Sequence, residues 1–220
     1  MTHSGWAATD DGIAIALRDV SFRYSPEASL ALDSVNVQVR GGAITALLGP
    51  NGSGKSTLLH LLLGLLPAQQ GQVWVMGQQH GAYTRRELSQ LVGLVPQDEH
   101  VTFELSVLEY ALLGRAPHLG LLDLPQPADR ALALEALQTT GIAALAQRAV
   151  TSLSGGEKQL ATVARALTQE PRILLLDEPT SHLDLANARR ILGVLRALRD
   201  GGRTMVLTTH DPNAAASVAD

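Results

Sequence analysis

The sequence predicts an α/β fold: a parallel sheet covered by helices, an N-terminal antiparallel β subdomain and an inserted helical subdomain. Short apolar runs that end in polar residues are typical of buried parallel strands, and segments with helical spacing separate them here. The four runs lie at 44–49, 91–97, 172–179 and 204–210. Nearer the N-terminus apolar residues alternate with polar ones, a pattern typical of half-buried antiparallel strands.

Composition limits the classes of protein that need to be considered. The chain has 220 residues, of which 45% are apolar and 17% charged, which suits one domain spanning 1–220 with an inserted subdomain. A formal net charge of −4 argues against a protein that coats nucleic acid, and the lack of cysteine excludes disulfides and thiolate metal sites. The most apolar run, 58–68, is about half of the ~20 residues that a membrane span requires. The N-terminus lacks the pattern of a signal peptide.

The elements follow in chain order. Alternation predicts antiparallel strands at 13–17, 20–24, 35–39 and 72–77, with short turns between them. Helical spacing predicts helices at 56–66, 160–167 and 186–198. Between 101 and 150 strand signals fade, and two helices separated by prolines are predicted around 105–112 and 132–137. The nucleotide-binding core, including the antiparallel subdomain, is therefore expected at about 12–100 and 151–220, with the helical subdomain at 101–150.

A glycine-rich stretch between the first parallel strand and the next helix carries the clearest chemistry. It fits the pattern G-x-x-x-x-G-K-[ST], in which glycines let backbone N–H groups surround phosphate oxygens at a helix N-terminus. The pattern predicts that Lys55 reaches the β- and γ-phosphates of a nucleotide and that Ser56 ligates Mg²⁺. This is the phosphate loop of a P-loop NTPase core. Its residues, with the next one, are Gly49, Pro50, Asn51, Gly52, Ser53, Gly54, Lys55, Ser56 and Thr57.

Polar residues at the ends of the other parallel strands extend the predicted site. Asp177 is placed to hold Mg²⁺ or its waters, and Glu178 could act as general base toward a water. A lone Asp-Glu pair after a strand is usually a solvated loop, but its combination with a phosphate loop favours the functional interpretation. His210 and Gln97 also end predicted parallel strands, at the edge where open α/β sheets bind ligands. A histidine in such a loop is otherwise more often structural.

A second glycine-containing stretch, LSGGEKQ at 153–159, precedes a predicted helix. Ser154 and Glu157 have the spacing of a capping box, which accounts for the helix start. Gly155 and Gly156 remain unexplained by the cap, since each costs roughly 1 kcal/mol relative to alanine inside a helix. Bare backbone at that position would let another surface, or an anion, approach the helix N-terminus closely.

Taken together, these motifs resemble the nucleotide-binding subunits of ATP-binding cassette systems, in the family's order and over essentially the whole chain. The resemblance implies that Tyr24 stacks on adenine and that Gln97 is the Q-loop residue, which would bind Mg²⁺. It assigns Leu153–Glu157 to the signature motif and Ser181–Asp184 to the D-loop. It also implies that Asp177 and Glu178 form the Walker B pair. The catalytic residues would be Glu178, His210, Lys55 and Gln97.

The resemblance also implies partners and a location. Two cassettes would form a head-to-tail dimer, favoured as a homodimer, with each ATP between the phosphate loop of one subunit and Ser154–Glu157 of the other. The dimer would drive transmembrane permease subunits, and indirectly serve a substrate-binding protein, from the cytoplasmic face of the inner membrane. Gly114–His118 and the run EPTSHLD look most like the ATPases of importers for iron-siderophore, haem or cobalamin. Importers of another metal or an oxyanion stay open.

Three departures from the family pattern, and two alternative functions, accompany this interpretation. Leu160 and His182 replace residues that are commoner in the family, neither at a phosphate-binding or catalytic position. The chain ends inside a predicted helix after His210, where relatives continue, so we expect a truncated C-terminus. A soluble cassette ATPase acting on nucleic acid or ribosomes is the alternative, although such proteins usually have tandem cassettes or long coiled coils. A P-loop kinase or GTPase would leave LSGGE unexplained.

Overall fold

The computed structural model describes residues 12–99, 101–120 and 122–219. The prediction about a signal peptide concerns mainly residues 1–11, and the prediction about the C-terminus includes Asp220. These residues lie outside the described ones. The described strands are β1 (Ile13–Phe22), β2 (Leu32–Arg40), β3 (Ile44–Leu48), β4 (Gln70–Val75), β5 (Gln78–Gln79), β6 (Val92–Val95), β7 (Ile173–Asp177) and β8 (Thr204–Thr209). The described helices are α1 (Lys55–Leu62), α2 (Arg85–Leu91), α3 (Val107–Leu112), α4 (Pro127–Thr139), α5 (Gly155–Thr168), α6 (Leu185–Asp200) and α7 (Pro212–Val218).

The antiparallel sheet has the strand order β2-β1-β4-β5. The predicted strands 13–17 and 20–24 are one continuous strand, β1, in the structure. A β-bulge joins the two parts: Asp19 has a φ of 50°, and the pairing register shifts between Leu17 and Val20. Such a bulge moves the apolar residues by one position while keeping them on the buried face. The strand ends at Phe22, so Tyr24 lies in the following loop and not in a strand as predicted. That loop, 23–31, is also longer than the predicted short turn.

The four predicted apolar runs contain the strands of the parallel sheet, whose order in the structure is β3-β8-β7-β6. The side chains of β7 alternate between two buried clusters: Leu174 and Leu176 belong to one, and Ile173 and Leu175 to the other. The second cluster also contains α1 and the antiparallel sheet, while the first contains α3 to α6. An α/β class with both a parallel and an antiparallel sheet is thereby confirmed.

One predicted helix is shorter in the structure, and one helix of the structure was not predicted. The first helix ends at Leu62, not at Leu66, because Gly64 has a φ of 74° that ends the helical path. Helix α2 was not predicted, although the sequence carries its start signal: Thr84 and Glu87 form a capping box. Its 7 residues, about two turns of helix, offer too few apolar residues for a periodic pattern.

In its described residues, the helical segment after β6 shares its apolar cluster with other parts of the fold. Residues of α3 and α4 share one cluster with α5 and with the parallel sheet. Arg115, which is buried, donates to Asp129 at 2.8 Å, to the Thr168 carbonyl at 3.0 Å and to Glu170 at 2.9 Å. The segment containing Gly114–His118 is thus attached to α4 and to the end of α5. The subdomain division at 101–150 stays a prediction.

Candidate functional site

The glycine-rich loop connects β3 to α1 at the carboxyl edge of the parallel sheet. Gly52 and Gly54 have φ angles of 79° and 89°. A Cβ atom on Gly54 would lie 2.3 Å from the carbonyl oxygen of Ala31, closer than real Cβ atoms come to any atom. Both the backbone conformation and the space around Gly54 therefore require glycine there. The loop so formed places Lys55 at the first turn of α1.

The Lys55 ammonium group lies folded across this loop. Its Nζ donates to the carbonyl oxygens of Gly49 at 2.9 Å and of Pro50 at 3.0 Å. It also lies 3.6 Å from Oε1 of Glu178, and only 9% of each of these two charged side chains is exposed. A buried charge is tolerated only with a partner, so Glu178 offsets the charge of Lys55 in this state.

The acidic pair follows from the end of β7. Asp177 and Glu178 are both buried, and Thr208 of the neighbouring strand β8 contacts both of them. The Thr208 hydroxyl donates to Oδ1 of Asp177 at 2.6 Å and accepts from the backbone N–H of Glu178 at 2.9 Å. On the other side of the carboxylate from Lys55, Nδ1 of His210 lies 2.9 Å from Oε2 of Glu178. One carboxylate thus links the lysine and the histidine.

Tyr24 lies beside the start of α1 although it is far from it in sequence. A hydrogen bond of 3.0 Å joins its hydroxyl to Thr57. Its ring meets Phe22 edge-on with centroids 5.1 Å apart, yet 63% of the residue is exposed. An exposed aromatic ring in a T-shaped contact with one neighbour leaves a face free for stacking.

Ser154–Glu157 forms the predicted capping box at the start of α5. The Ser154 hydroxyl accepts from the backbone N–H of Glu157 at 3.3 Å, and the Glu157 carboxylate accepts from the backbone N–H of Ser154 at 2.9 Å. These hydrogen bonds, led by the backbone one, lower the pKa of Glu157. The cap therefore keeps its negative charge down to a lower pH than an isolated glutamate would.

The two glycines inside this cap have different surroundings. A Cβ atom on Gly156 would lie 2.3 Å from Cγ of Asn187, whereas one on Gly155 would find Leu183 at 3.8 Å. The surface that approaches Gly156 closely thus belongs to α6 of the same chain, and Gly155 is the more exposed of the two. Asn187 also donates from Nδ2 to Asp184 at 2.8 Å, while its backbone N–H donates to the other oxygen of Asp184. The backbone bond is the main cause that lowers the pKa of Asp184.

Gln97 lies in the segment that leaves β6, two residues beyond the end of the strand at Val95. Two residues further on, the Glu99 carboxylate accepts hydrogen bonds from Tyr110 of α3 and, at 2.6 Å, from Arg165 of α5. The Arg165 guanidinium also lies 5.2 Å from the centre of the Tyr110 ring, a cation–π contact. The segment that carries Gln97 is thereby attached to α5, the helix that Ser154 caps.

The oxygen donors at the site fit Mg²⁺ better than a transition metal. Within the described residues no group of three or more His, Asp or Glu side chains could hold a metal ion. Mg²⁺ binds through one or two protein oxygens together with nucleotide phosphates, so a dedicated cluster is not required. The Asp177 carboxylate and the Ser56 hydroxyl supply such oxygens, and the hydrogen bond of Thr208 to Asp177 uses only Oδ1.

The structure brings one set of the predicted residues together and leaves another apart. Lys55, Glu178 and His210 form one connected group, with Asp177 beside it and the Tyr24–Thr57 pair at the start of α1. The capping hydrogen bonds of Ser154–Glu157 instead lie within its own turn, and Gly156 in that turn faces Asn187 of α6. Sequence reasoning missed Thr208, Asn187 and Glu99. Thr208 could have been noticed in the sequence because it is a polar residue within the apolar run of β8.

Comparison with known proteins shows the family of this chain. Residues 32–181 match the protein family described as ABC transporter. The chain belongs to the ABC transporter family. Proteins of this family bind ATP through this domain and hydrolyse it, and the predicted family assignment and ATPase activity are thereby confirmed.

Two relatives and two solved structures illustrate the similarity. The chain is 38% identical over 216 residues to the manganese transport system ATP-binding protein MntA of Synechocystis sp., covering 97% of this chain and 82% of MntA. It is 42% identical over 190 residues to the cobalamin import ATP-binding protein BtuD of Halobacterium salinarum, covering 86% of this chain and 47% of BtuD. This ABC chain therefore spans about half the length of that relative.

Among solved structures, a transporter described as an ABC transporter of the metal-chelate type, in an inward-facing conformation, is 38% identical with a TM-score of 0.82. The match covers 94% of this chain and 77% of that one. A dimeric bacterial ABC transporter cassette is 30% identical with a TM-score of 0.79, covering 93% and 91% of the two chains. Among the described residues of this ABC protein, no helix combines the length and apolar character needed to cross a membrane.

Proposed function

We propose that this chain is the ATP-hydrolysing subunit of a membrane importer, and that Lys55, Glu178 and His210 carry its chemistry. The observation that supports this most directly is the buried Glu178 carboxylate between Lys55 and His210, at the mouth of a phosphate loop. Two apolar side chains would stabilise that place as well as an ion pair does. The ion pair therefore favours a chemical role.

In this mechanism a bound nucleotide first changes the partner of Lys55. The β- and γ-phosphates attract the ammonium group away from Glu178, 3.6 Å away in this state, because they carry more negative charge. Glu178 then has an oxygen free to accept the proton of the attacking water. As the water oxygen bonds to the γ-phosphorus, the bond to the ADP oxygen breaks and Glu178 takes the proton. His210, 2.9 Å from the other oxygen, keeps the carboxylate in place.

The remaining site residues hold the nucleotide and its ion. Mg²⁺, bound by Ser56 and Asp177 with Gln97 nearby, would neutralise the charge that develops on the phosphates. The open face of Tyr24 would stack on the adenine ring, and the backbone N–H groups of 49–57 would surround the phosphates.

The signature residues supply the argument for a dimer. Ser154, Gly155 and the capped start of α5 offer an anion site, and its close contacts in the described part of the chain are with its own turn and with α6. A head-to-tail homodimer would place this anion site, with Asp184 nearby, against the γ-phosphate held by Lys55 of the partner. The solved dimeric cassette to which this chain is similar supports the same proposal.

The transported cargo and the membrane partner belong to the proposal as well. An importer for iron-siderophore, haem or cobalamin agrees with Gly114–His118 and with the similarity to a transporter of the metal-chelate type. The similarity to a manganese transport protein supports another metal as the alternative cargo. In either case permease subunits in the inner membrane would bind this chain on the cytoplasmic side, and a substrate-binding protein would deliver cargo to them.

Two variants test the ATPase proposal. Lys55→Ala should weaken the binding of a fluorescent ATP analogue at least tenfold, whereas Lys158→Ala, which removes the same charge from α5, should not. Glu178→Gln should bind ATP, lose turnover and elute as a dimer in gel filtration with ATP, unlike the exposed control Glu135→Gln. Undiminished affinity in Lys55→Ala, or a Glu178→Gln variant that stays monomeric with ATP, would contradict the proposal.

A third experiment tests the membrane partner. Purification of the tagged chain from detergent extracts of the native organism should recover a polytopic membrane protein. Recovery of ribosomes or DNA instead would support the soluble cassette ATPase and refute the importer.

A further inference from the structure

Thr208 contacts both acidic residues of the site, yet it belongs to none of the motifs found in the sequence. It lies on β8 directly opposite Asp177 of β7 in the parallel register, so the two side chains project from the same face of the sheet. Thr208 is fully buried, with no exposed surface. A buried hydroxyl requires hydrogen-bond partners. The Thr208 hydroxyl has one partner in Asp177 and one in Glu178.

The first contact fixes the orientation of Asp177. The Thr208 hydroxyl donates to Oδ1 of Asp177, and the 2.6 Å between the two oxygens makes this a short hydrogen bond to a carboxylate. A carboxylate held at one oxygen can no longer rotate freely about its last side-chain bond. The other oxygen, Oδ2, is then presented in one direction, which is what a ligand of Mg²⁺ or of its waters requires.

The second contact stabilises the backbone of Glu178. This residue has a φ of 44°, in the left-handed region that non-glycine residues rarely adopt. Such a conformation persists only where the surroundings hold it, and the Thr208 oxygen accepts from the N–H of this very residue at 2.9 Å. The turn sends the side chain of Glu178 between Lys55 and His210.

We propose that Thr208 is a positioning residue for both acids: its single hydroxyl orients the Asp177 carboxylate and holds the turn that aims Glu178. This inference rests on the proposed function and extends it to a residue outside the motifs. Threonine suits the role because a hydroxyl can donate to a carboxylate and accept from an N–H at the same time. Valine has the same shape and can do neither.

The test compares three variants of the full chain. Thr208→Val removes the hydroxyl, and Thr208→Ser keeps it. Thr204→Val is the matched control, because Thr204 is also buried on β8 and its hydroxyl accepts from the backbone N–H of Gly42 at 2.9 Å, at the other end of the strand. For each variant we would measure ATP binding without Mg²⁺, the Mg²⁺ concentration that half-saturates ATP-induced thermal stabilisation, and kcat and KM.

We expect Thr208→Val to raise the half-saturating Mg²⁺ concentration and to lower kcat, each by about 10- to 100-fold, as loss of an outer hydrogen-bond partner of a metal site typically does. Binding of ATP without Mg²⁺ should change by less than about twofold, because the phosphate loop and Tyr24 are untouched. Thr208→Ser should behave like the parent. A merely structural role would instead lower the thermal midpoint and leave the Mg²⁺ requirement unchanged.

The outcomes separate this inference from the function on which it rests. If the parent binds MgATP but Thr208→Val behaves like Thr204→Val, the positioning role is wrong and the proposed function stands. If Thr208→Ser loses as much as Thr208→Val, the methyl group and not the hydroxyl matters, which also overturns the inference. A parent that binds no MgATP would refute the proposed function and this inference with it.

Discussion

The close contact between Gly156 of α5 and Asn187 of α6 can be tested by stability measurements that require no nucleotide. Substitution of Gly156 by alanine would ordinarily stabilise a helix, by up to about 1 kcal/mol, because alanine loses less conformational entropy on folding. In this chain the added Cβ atom would lie 2.3 Å from Cγ of Asn187 and 2.4 Å from its Oδ1. Ordinary contacts begin near 3.4 Å, so the side chain would have to move by about 1 Å.

That movement has an energetic cost. Asn187 Nδ2 donates to Asp184 at 2.8 Å, and a hydrogen bond to a charged group contributes about 1.5 kcal/mol or somewhat less at an exposed site. Overpacking of a close contact adds about 1 kcal/mol. Against the gain in helix propensity, we expect Gly156→Ala to destabilise the chain by about 1 to 2 kcal/mol overall.

Urea denaturation of four proteins measures this effect: the parent, Gly156→Ala, Asn187→Ala and the double variant. In the Asn187→Ala background the clash is absent, so the alanine should be neutral or stabilising by about 0.5 kcal/mol. The coupling energy should therefore be about 1.5 to 2 kcal/mol, well above the ~0.5 kcal/mol of independent sites. Equal effects of Gly156→Ala in both backgrounds would show that Asn187 is not the surface that requires glycine there.

Three further outcomes follow from other contacts. Gly54→Ala should lower the free energy of unfolding by about 2 kcal/mol or more and abolish binding of the ATP analogue. The reason is that φ of Gly54 is 89° and the new Cβ atom would lie 2.3 Å from the Ala31 oxygen. The control Gly202→Ala, at φ 84° with open space around it, should retain binding. Burial lowers the pKa of His80, so the unfolded chain binds the extra proton first and stability should fall as pH drops through about 6.5. His80→Gln should weaken that fall in urea midpoints, and an unchanged pH dependence would exclude His80 as its source. Arg115→Leu, which leaves Asp129 without its guanidinium partner, should lower the thermal midpoint more than the exposed Arg130→Leu.

Features encoded within a few consecutive residues could be predicted from the sequence. The phosphate loop, the capping box at Ser154 and the four apolar runs are local patterns, and their backbone conformations depend mainly on nearby residues. Parallel strands end at one edge of their sheet, so the strand assignments alone indicate that Asp177 and His210 lie at the same edge. The family resemblance then added roles for Tyr24 and Gln97, which stay proposals.

The partners of these residues were decided only by the tertiary structure. The contacts of Glu178 with Lys55 and His210 join positions more than thirty residues apart in sequence, at 3.6 Å and 2.9 Å. The role of Thr208 depends on strand order, because β8 lies between β3 and β7 in the sheet although it is last in the chain. Packing of α6 against α5 likewise places Asn187 on Gly156. Local patterns carry no information about such pairs, since contacts across the fold are set by how whole helices and strands pack.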